Sequence, residues 1–414
     1  MYILEALFEY FISILTSGTY LAKITTTAGI SDGMTAIITA IASLSGVFQL
    51  ISIYLSHKTP VKRWVVPLQA ITSLMFASIY IILLFNVTQH IGTIFFIIII
   101  VANALKHIAS PVKINWLMKL VPSHDRGLFH SKLTIVSLIG GIAFTLAMGT
   151  LIDTFEKRGE MGTVFLILSI VMLVLVVLQT LPLVIAKEKP EIVNHHEPAY
   201  HSIVSLIKNK NYRNTVLSYT IYGVAAGLIT PFLSTYQINE LGFSMTLIAV
   251  MDVIINISWI LMLAVFGKIS IRYKSKNMRS LAYLFSLIGY IFVIFTTPSV
   301  GVITIFLYRF MSIMYGAANT ASHHKMLFDL TPPEDRTAAV AMSAVFIGVF
   351  GFIATLIARP FFELLQSMDI IILGQKVYAQ QILAVIATAV MLFLNIYWHF
   401  AKKSISDHVE YEDI

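Results

Sequence analysis

The chain of 414 residues is predicted to be an all-α polytopic membrane protein, with twelve transmembrane helices in two pseudo-symmetric six-helix bundles, and three observations carry that prediction. The first is composition: 57% of residues are hydrophobic and 12% are charged, about half the charged share of an average soluble domain. The second is the number of long apolar runs. The third is a repeat: Leu120-Val-Pro122-Ser-His-Asp125-Arg126 returns 210 residues later as Leu330-Thr-Pro332-Pro-Glu-Asp335-Arg336.

A crossing of the hydrocarbon core needs roughly 20 apolar residues. Twelve segments qualify: 6–27, 34–56, 65–86, 93–119, 128–152, 163–186, 215–238, 245–267, 280–297, 300–327, 338–365 and 377–400. Backbone polar groups in lipid must be satisfied within the segment, so each is predicted as a helix. The two Leu-x-Pro-x-x-Asp-Arg turns follow the fourth and tenth spans. A second echo, Gly29-Ile-Ser31 with Met34-Thr35 against Gly242-Phe-Ser244 with Met245-Thr246, opens the second and eighth spans at nearly the same offset. Two matches in one register mark an internal duplication, the construction of many secondary transporters. The predicted organisation is a first bundle over 1–186, a cytoplasmic linker over 187–213, a second bundle over 214–401 and a tail over 402–414. Within the linker, Ser202–Leu206 is predicted as a short interfacial helix. His195 and His196 lack a third ligand, so no metal site is expected.

The net charge of +7 sorts by loop. One set of connections carries Lys58, Lys62 and Arg63, then Lys119, Arg126 and Lys132, then Lys187 to Arg213, then Lys268 to Arg279, then Lys325, Arg336, Lys402 and Lys403. The opposite set holds Lys157, Arg158 and Lys376, offset by Glu156, Glu160, Glu240 and Asp369. Basic loops face the cytoplasm, which places both termini inside a cytoplasmic (inner) membrane. The charge is therefore a topology signal and not a nucleic-acid surface. The N-terminus has no basic region and no small-residue cleavage site, so no cleaved signal peptide is expected. Cysteine is absent, which excludes disulfides and thiolate metal sites. No Walker loop, Gly-x-Ser-x-Gly or His-Glu-x-x-His occurs, so no enzyme and no cofactor are expected.

Twelve spans, a parallel six-plus-six repeat, a polar linker and an Asp-Arg turn after the fourth and tenth spans resemble the major facilitator superfamily (MFS). The resemblance implies a monomeric rocker-switch carrier with a central cavity lined mainly by the first, fourth, seventh and tenth spans. It also implies transport of a small-molecule solute driven by a proton or counter-solute gradient. The family's loop signature between the second and third spans is eroded here to Leu55-Ser-His-Lys58-Thr-Pro-Val-Lys62-Arg63, without its Gly or Asp. Gly140-Gly141 lacks the following proline of drug antiporters.

Ionisable residues inside the membrane point to function, because a charge at the bilayer centre costs at least about 2.5–3.5 kcal/mol. Lys106, Ser110 and Lys113 share one face of the fourth span at helical spacing, beside His107. The tenth span carries Arg309, Asn319, His323 and His324, and His323 falls at the repeat position of Lys113. This surplus of basic groups predicts an anionic solute held by Lys106, Lys113, Arg309, His323 and Asn319, with Tyr219 and Tyr222 beside it. Glu9, Asp252 and His107 are the expected proton-coupling groups, although Asp252 could equally neutralise Arg309. Asp125, Arg126, Asp335 and Arg336 are expected to latch helix ends, or else simply to cap them. Arg359 and Glu363 read as a structural i, i+4 pair. Efflux of lipophilic drugs or cations, served by Glu9 and Asp252, is the alternative function, and a transporter-like sensor a lesser one.

Overall fold

A computed structural model describes residues 2–44, 46–49, 60–85, 89–122, 125–188, 206–332, 335–372 and 374–405. The chain is helical almost throughout: α1 (Tyr2–Leu15), α2 (Gly18–Thr27), α3 (Asp32–Ala40), α4 (Val61–Leu84), α5 (Ile91–Met118), α6 (Arg126–Lys157) and α7 (Met161–Ile185) come first. They are followed by α8 (Lys210–Thr235), α9 (Met245–Arg272), α10 (Ser275–Ile294), α11 (Gly301–Asp329), α12 (Arg336–Gln366) and α13 (Ala379–Ser404). From α4 onward, ten helices are long and apolar enough to cross a membrane among the described residues, and all ten fall on predicted spans. Large apolar side chains such as Ile139, Val177 and Ile357 are exposed on them, as a lipid-facing surface requires. A two-residue hairpin, Ile371–Ile372 with Gln375–Lys376, turns at Gly374.

The first two predicted spans depart from uninterrupted helix. The first is broken between Leu15 and Gly18, where Gly18 takes φ +55°. Three hydroxyls bond back to carbonyls at the break: Ser13 Oγ to Tyr10, Thr16 Oγ1 to Ile12 and Ser17 Oγ to Ser13, at 2.6–2.8 Å. Such local bonds compete with the helical ladder, and glycine supplies the left-handed conformation at no steric cost. The Leu15 carbonyl is taken instead by the buried Tyr80 hydroxyl, 2.7 Å away. Tyr80→Phe should therefore lower stability by about 1–3 kcal/mol, the cost of a buried acceptor left unmade. Thermal unfolding of the purified protein measures it, and an unchanged midpoint would show that the bond contributes nothing. The second span runs as α-helix to Ala40 and then tightens to 3₁₀ over Ile41–Leu44.

The eroded loop signature, apart from its end, and linker residues 189–205 with His195 and His196 lie outside the described residues, as does the tail from 406. Of the predicted interfacial helix only Leu206 is described, opening a helical turn over 206–208. Glu188 closes the first half by accepting hydrogen bonds from the Val61 and Lys62 backbone N–H groups at the start of α4.

The chain divides into two compact units, Met1–Asn194 with Gln237–Asp252, and His195–Tyr236 with Val253–Ile414. In the first, Val61, Val65, Val112, Trp116, Leu117 and Leu183 form a core that Tyr2 packs against. In the second, Tyr212, Val216, Tyr219, Leu327 and Met342 form another. The repeat register holds in both: Tyr2 and Leu117 correspond to Tyr212 and Leu327. The two Asp-Arg turns close with equivalent bonds, Asp125 N–H to Pro122 O and Asp335 N–H to Pro332 O, both 3.0 Å. Asp125 and Asp335 stand before α6 and α12 without a side-chain capping bond to those helices. Asp335 is buried, so it is not a solvated capping turn. Arg336 lies over the Phe328 ring, and the Arg126 side chain lies outside the described residues. Arg359 and Glu363 form the expected pair at 2.9 Å.

Candidate functional site

Two polar clusters stand out, one inside each unit. In the first unit α5 presents Lys113 to α1, whose Glu5 and Glu9 are one helical turn apart and so share a face. The Lys113 ammonium donates to Glu5 Oε1 and to Glu9 Oε2, each at 2.7 Å. Lys113 and Glu5 are fully enclosed, at 1% and 0% exposure, while the Glu9 side chain keeps 23%. Behind Glu5 lies Gln179, whose Oε1 accepts from Ser73 Oγ at 2.6 Å. Two carboxylates thus face one ammonium, which leaves one negative charge that Lys113 does not neutralise. Lys106, seven residues earlier and about 10 Å along the same helix, interacts with Glu9 through space.

Sequence reasoning assigned Lys113 to the solute, but its charge is already met by Glu5 and Glu9. Burial of an ammonium in this setting demands such partners. Glu5 itself was missed, because the first span was started one residue after it. The Glu5–Glu9 spacing of four on an otherwise apolar helix was the signal that could have found it.

Lys106 and His107 open on a cavity of about 240 Å³ inside the first unit. Its polar wall is Ser13, Thr16 and Ser17 at the α1–α2 break, with Thr39 and Asn103, and its apolar wall is Leu21, Ile38, Ala42, Phe76 and Ile99. The helix break thus serves the cavity, since it turns three hydroxyl-bearing residues of the first span towards one space. Among the described residues Lys106 forms neither an ion pair nor a hydrogen bond. Asp252, the other expected coupling group, belongs to this unit beside Tyr10 and Tyr20. Asp153, near the end of α6, accepts from the backbone N–H groups of Met245 and Thr246 at 2.8 and 2.7 Å. It caps the start of α9, where the helix dipole favours a negative charge.

In the second unit the organising residue is Arg279 of α10. Sequence reasoning had counted it among the cytoplasmic loop charges; it is instead buried, at 1% exposure. Its position one turn inside α10 carries it past the loop and against α8 and α11. The guanidinium lies 4.1 Å from the centre of the Tyr219 ring and donates to Tyr219 OH, to Asn319 Oδ1 and, at 3.2 Å, to His323 Nδ1. Arginine can only donate, so His323 carries its proton on Nε2, which faces Ser343 Oγ at 3.5 Å. Three residues expected at the solute site, Tyr219, Asn319 and His323, are therefore brought together by one that was not. Tyr222 stacks on Tyr315 with 4.2 Å between ring centroids. Arg309 stands ten residues before Asn319 on α11, about 15 Å along the helix axis, and is not part of this cluster.

Comparisons with known proteins fit these features. No curated protein sequence matches the chain. Solved structures match along nearly its whole length at low identity. The nucleoside transporter NupG superposes with a TM-score of 0.70 at 16% identity, covering 98% of this chain and 98% of its own. A bacterial homologue of the human lysosomal transporter Spinster, inward-facing and occupied, gives 0.68 at 11%, covering 97% and 95%. An auto-inhibited peptide transporter of the POT family gives 0.66 at 10%, covering 100% and 97%. At such identities these establish the fold alone. The sequence profile described as "Major Facilitator Superfamily" matches residues 2–355 and again 215–403. Taken with the duplicated helical units and the membrane-spanning helices, that match means the chain belongs to the Major Facilitator Superfamily and is a membrane-embedded secondary transporter of a small-molecule solute, not an enzyme.

Proposed function

We propose that the chain carries a small organic anion across the cytoplasmic membrane, coupled to protons or to exchange, with both termini in the cytoplasm. The observation that carries this reading is Lys106: a cation on a polar cavity, unpaired among the described residues, whose neighbours Ser13, Ser17 and Asn103 bring hydroxyl and amide groups. A carboxylate or phosphate on the solute satisfies that ammonium with charge-assisted hydrogen bonds. By their names the structures that share the fold carry nucleosides or peptides, so the fold does not select the solute and the side chains must.

The same cluster supplies the coupling. Glu9 stands between Lys113 and Lys106, and Lys113 is shared with Glu5. While the cavity holds no anion, Lys106 balances the remaining negative charge. When the solute anion takes Lys106, that balance is lost and Glu9 gains a proton. Anion and proton then bind together, because each raises the affinity for the other. His107 and Asp252 lie in the same unit and extend the path for the proton.

The test is uptake and binding in purified, reconstituted protein. Lys106→Ala should weaken binding of a small acid roughly tenfold or more, the worth of a charge-assisted bond of about 1.5–3 kcal/mol. Glu9→Gln should leave binding but remove the dependence of transport on a pH gradient. Efflux of lipophilic cations by wild type, unaffected in Lys106→Ala, with no acid transported, would sink the proposal and favour the efflux reading.

A further inference from the structure

The repeat allows the two polar clusters to be compared position by position. At the offset of 210, Glu9 maps on Tyr219, Lys113 on His323, Glu5 on Thr215 and Gln69 on Arg279. The buried pair Tyr80 and Tyr290 keeps the same register on α4 and α10. The first unit therefore holds a lysine with two carboxylates of its own and a neutral amide at the fourth position. The second has lost both carboxylates and gained a guanidinium at the position of that amide.

Lys113 has its counter-charges within reach and Arg279 does not. Its hydrogen-bond acceptors, Tyr219, Asn319 and His323, are all neutral groups, and no carboxylate lies within ion-pair distance among the described residues. Its Nε is buried and makes no hydrogen bond. A buried cation without a counter-ion is unfavourable even when it is stacked on an aromatic ring. Asn319 and His323 are half-buried and so lie on the accessible side of the guanidinium.

We propose that Arg279 is an anion-binding residue and that Arg279, Asn319, His323 and Tyr219 form a site for an oxyanion group, a carboxylate or a phosphate, of the transported solute. The proposal rests on the anion-carrier reading and adds a second site to it, independent of Lys106. The planar fork of arginine matches the two oxygens of either group. An arriving oxyanion displaces the Asn319 and His323 acceptors from the guanidinium. The amide of Asn319 then turns to donate from Nδ2. The duplication has separated two tasks: the half with its own carboxylates couples protons, and the half without them holds the anion.

The experiment measures the thermal unfolding midpoint of the full-length protein in detergent, at fixed ionic strength, with succinate or inorganic phosphate as probe. Wild type should show a midpoint that climbs with the logarithm of anion concentration. Stabilisation by succinate alone identifies a carboxylate site, and by phosphate alone a phosphate site. Arg279→Gln should abolish the rise while its unliganded midpoint stays at or above that of wild type. Glutamine already stands at the equivalent position of the first unit, and an uncompensated charge has been removed. An unliganded midpoint well below wild type would mark Arg279 as structural and overturn the proposal. Stabilisation retained in Arg279→Gln but lost in Lys106→Ala also overturns it, and leaves the anion-carrier reading standing on Lys106. Loss in Arg279→Gln with retention in Lys106→Ala supports the site and removes Lys106 from the solute's path. No stabilisation of wild type by either anion overturns both.

Discussion

Lys113→Ala is expected to be among the most damaging single substitutions in this chain. It removes the only ammonium in hydrogen-bonding contact with Glu5 and Glu9 and leaves two carboxylates side by side in an apolar bundle. Breaking a buried pair by deleting one partner costs about 3–5 kcal/mol, because the remaining charge is left uncompensated. A loss of that size is a large part of the stability of most folded proteins. The measurable outcome is a steep fall in unfolding midpoint and in the yield of monodisperse protein. The cause can be isolated: Glu5→Gln and Glu9→Gln added to Lys113→Ala should restore much of the loss, since the residual charge is then gone. A triple variant as unstable as the single one would show that the cost comes from packing and not from charge.

The second large effect concerns the contact of α8 with α12 inside the second unit. Gly223 and Gly227 of α8 lie directly against the Ile347 and Gly351 carbonyls of α12, and Thr355 Oγ1 donates to the Gly227 carbonyl at 2.7 Å. Small residues four apart permit this close backbone approach, which is how helices associate strongly in lipid. A side chain at Gly227 would meet backbone and not a movable side chain, so the helices would have to separate. Gly227→Leu should therefore cost at least the ~1–3 kcal/mol typical of overpacking and abolish the folded monodisperse species in size-exclusion chromatography. Gly267→Ala is the control: nothing lies within 4 Å of that position. It should be neutral, or stabilising by up to about 1 kcal/mol from helix propensity alone. Equal behaviour of the two variants would show that the α8–α12 contact is looser than described.

Much of the architecture was legible in the chain because membrane helices are written in local terms. Length, apolarity and the placement of Lys and Arg in loops depend on neighbours along the sequence, and the duplicated Leu-x-Pro-x-x-Asp-Arg turns needed only comparison at a fixed offset. Those signals predicted all ten long helices and the family. They also led to Lys106, Lys113, His323, Asn319 and Glu9, since a charge or amide within an apolar run is conspicuous whatever surrounds it. The break at Gly18 was less visible, because Thr-Ser-Gly within an apolar run is compatible with a continuous helix until Tyr80 is seen to take the Leu15 carbonyl.

What the sequence by itself determined is thus the class of protein: a duplicated, twelve-span, basic-inside carrier with ionisable groups on its fourth and tenth spans. What only the tertiary structure decided is which of those groups are already paired. Lys113 and Lys106 look alike in the sequence, seven residues apart on one face, yet one is enclosed by two carboxylates from α1 and the other opens on a cavity. Arg279 reads as one more loop cation until α10 carries it against Tyr219, Asn319 and His323. The reason is physical: whether a buried charge is a strut or a binding group depends on the counter-charge within a few ångströms, and here those partners come from helices more than 30 residues away in the chain.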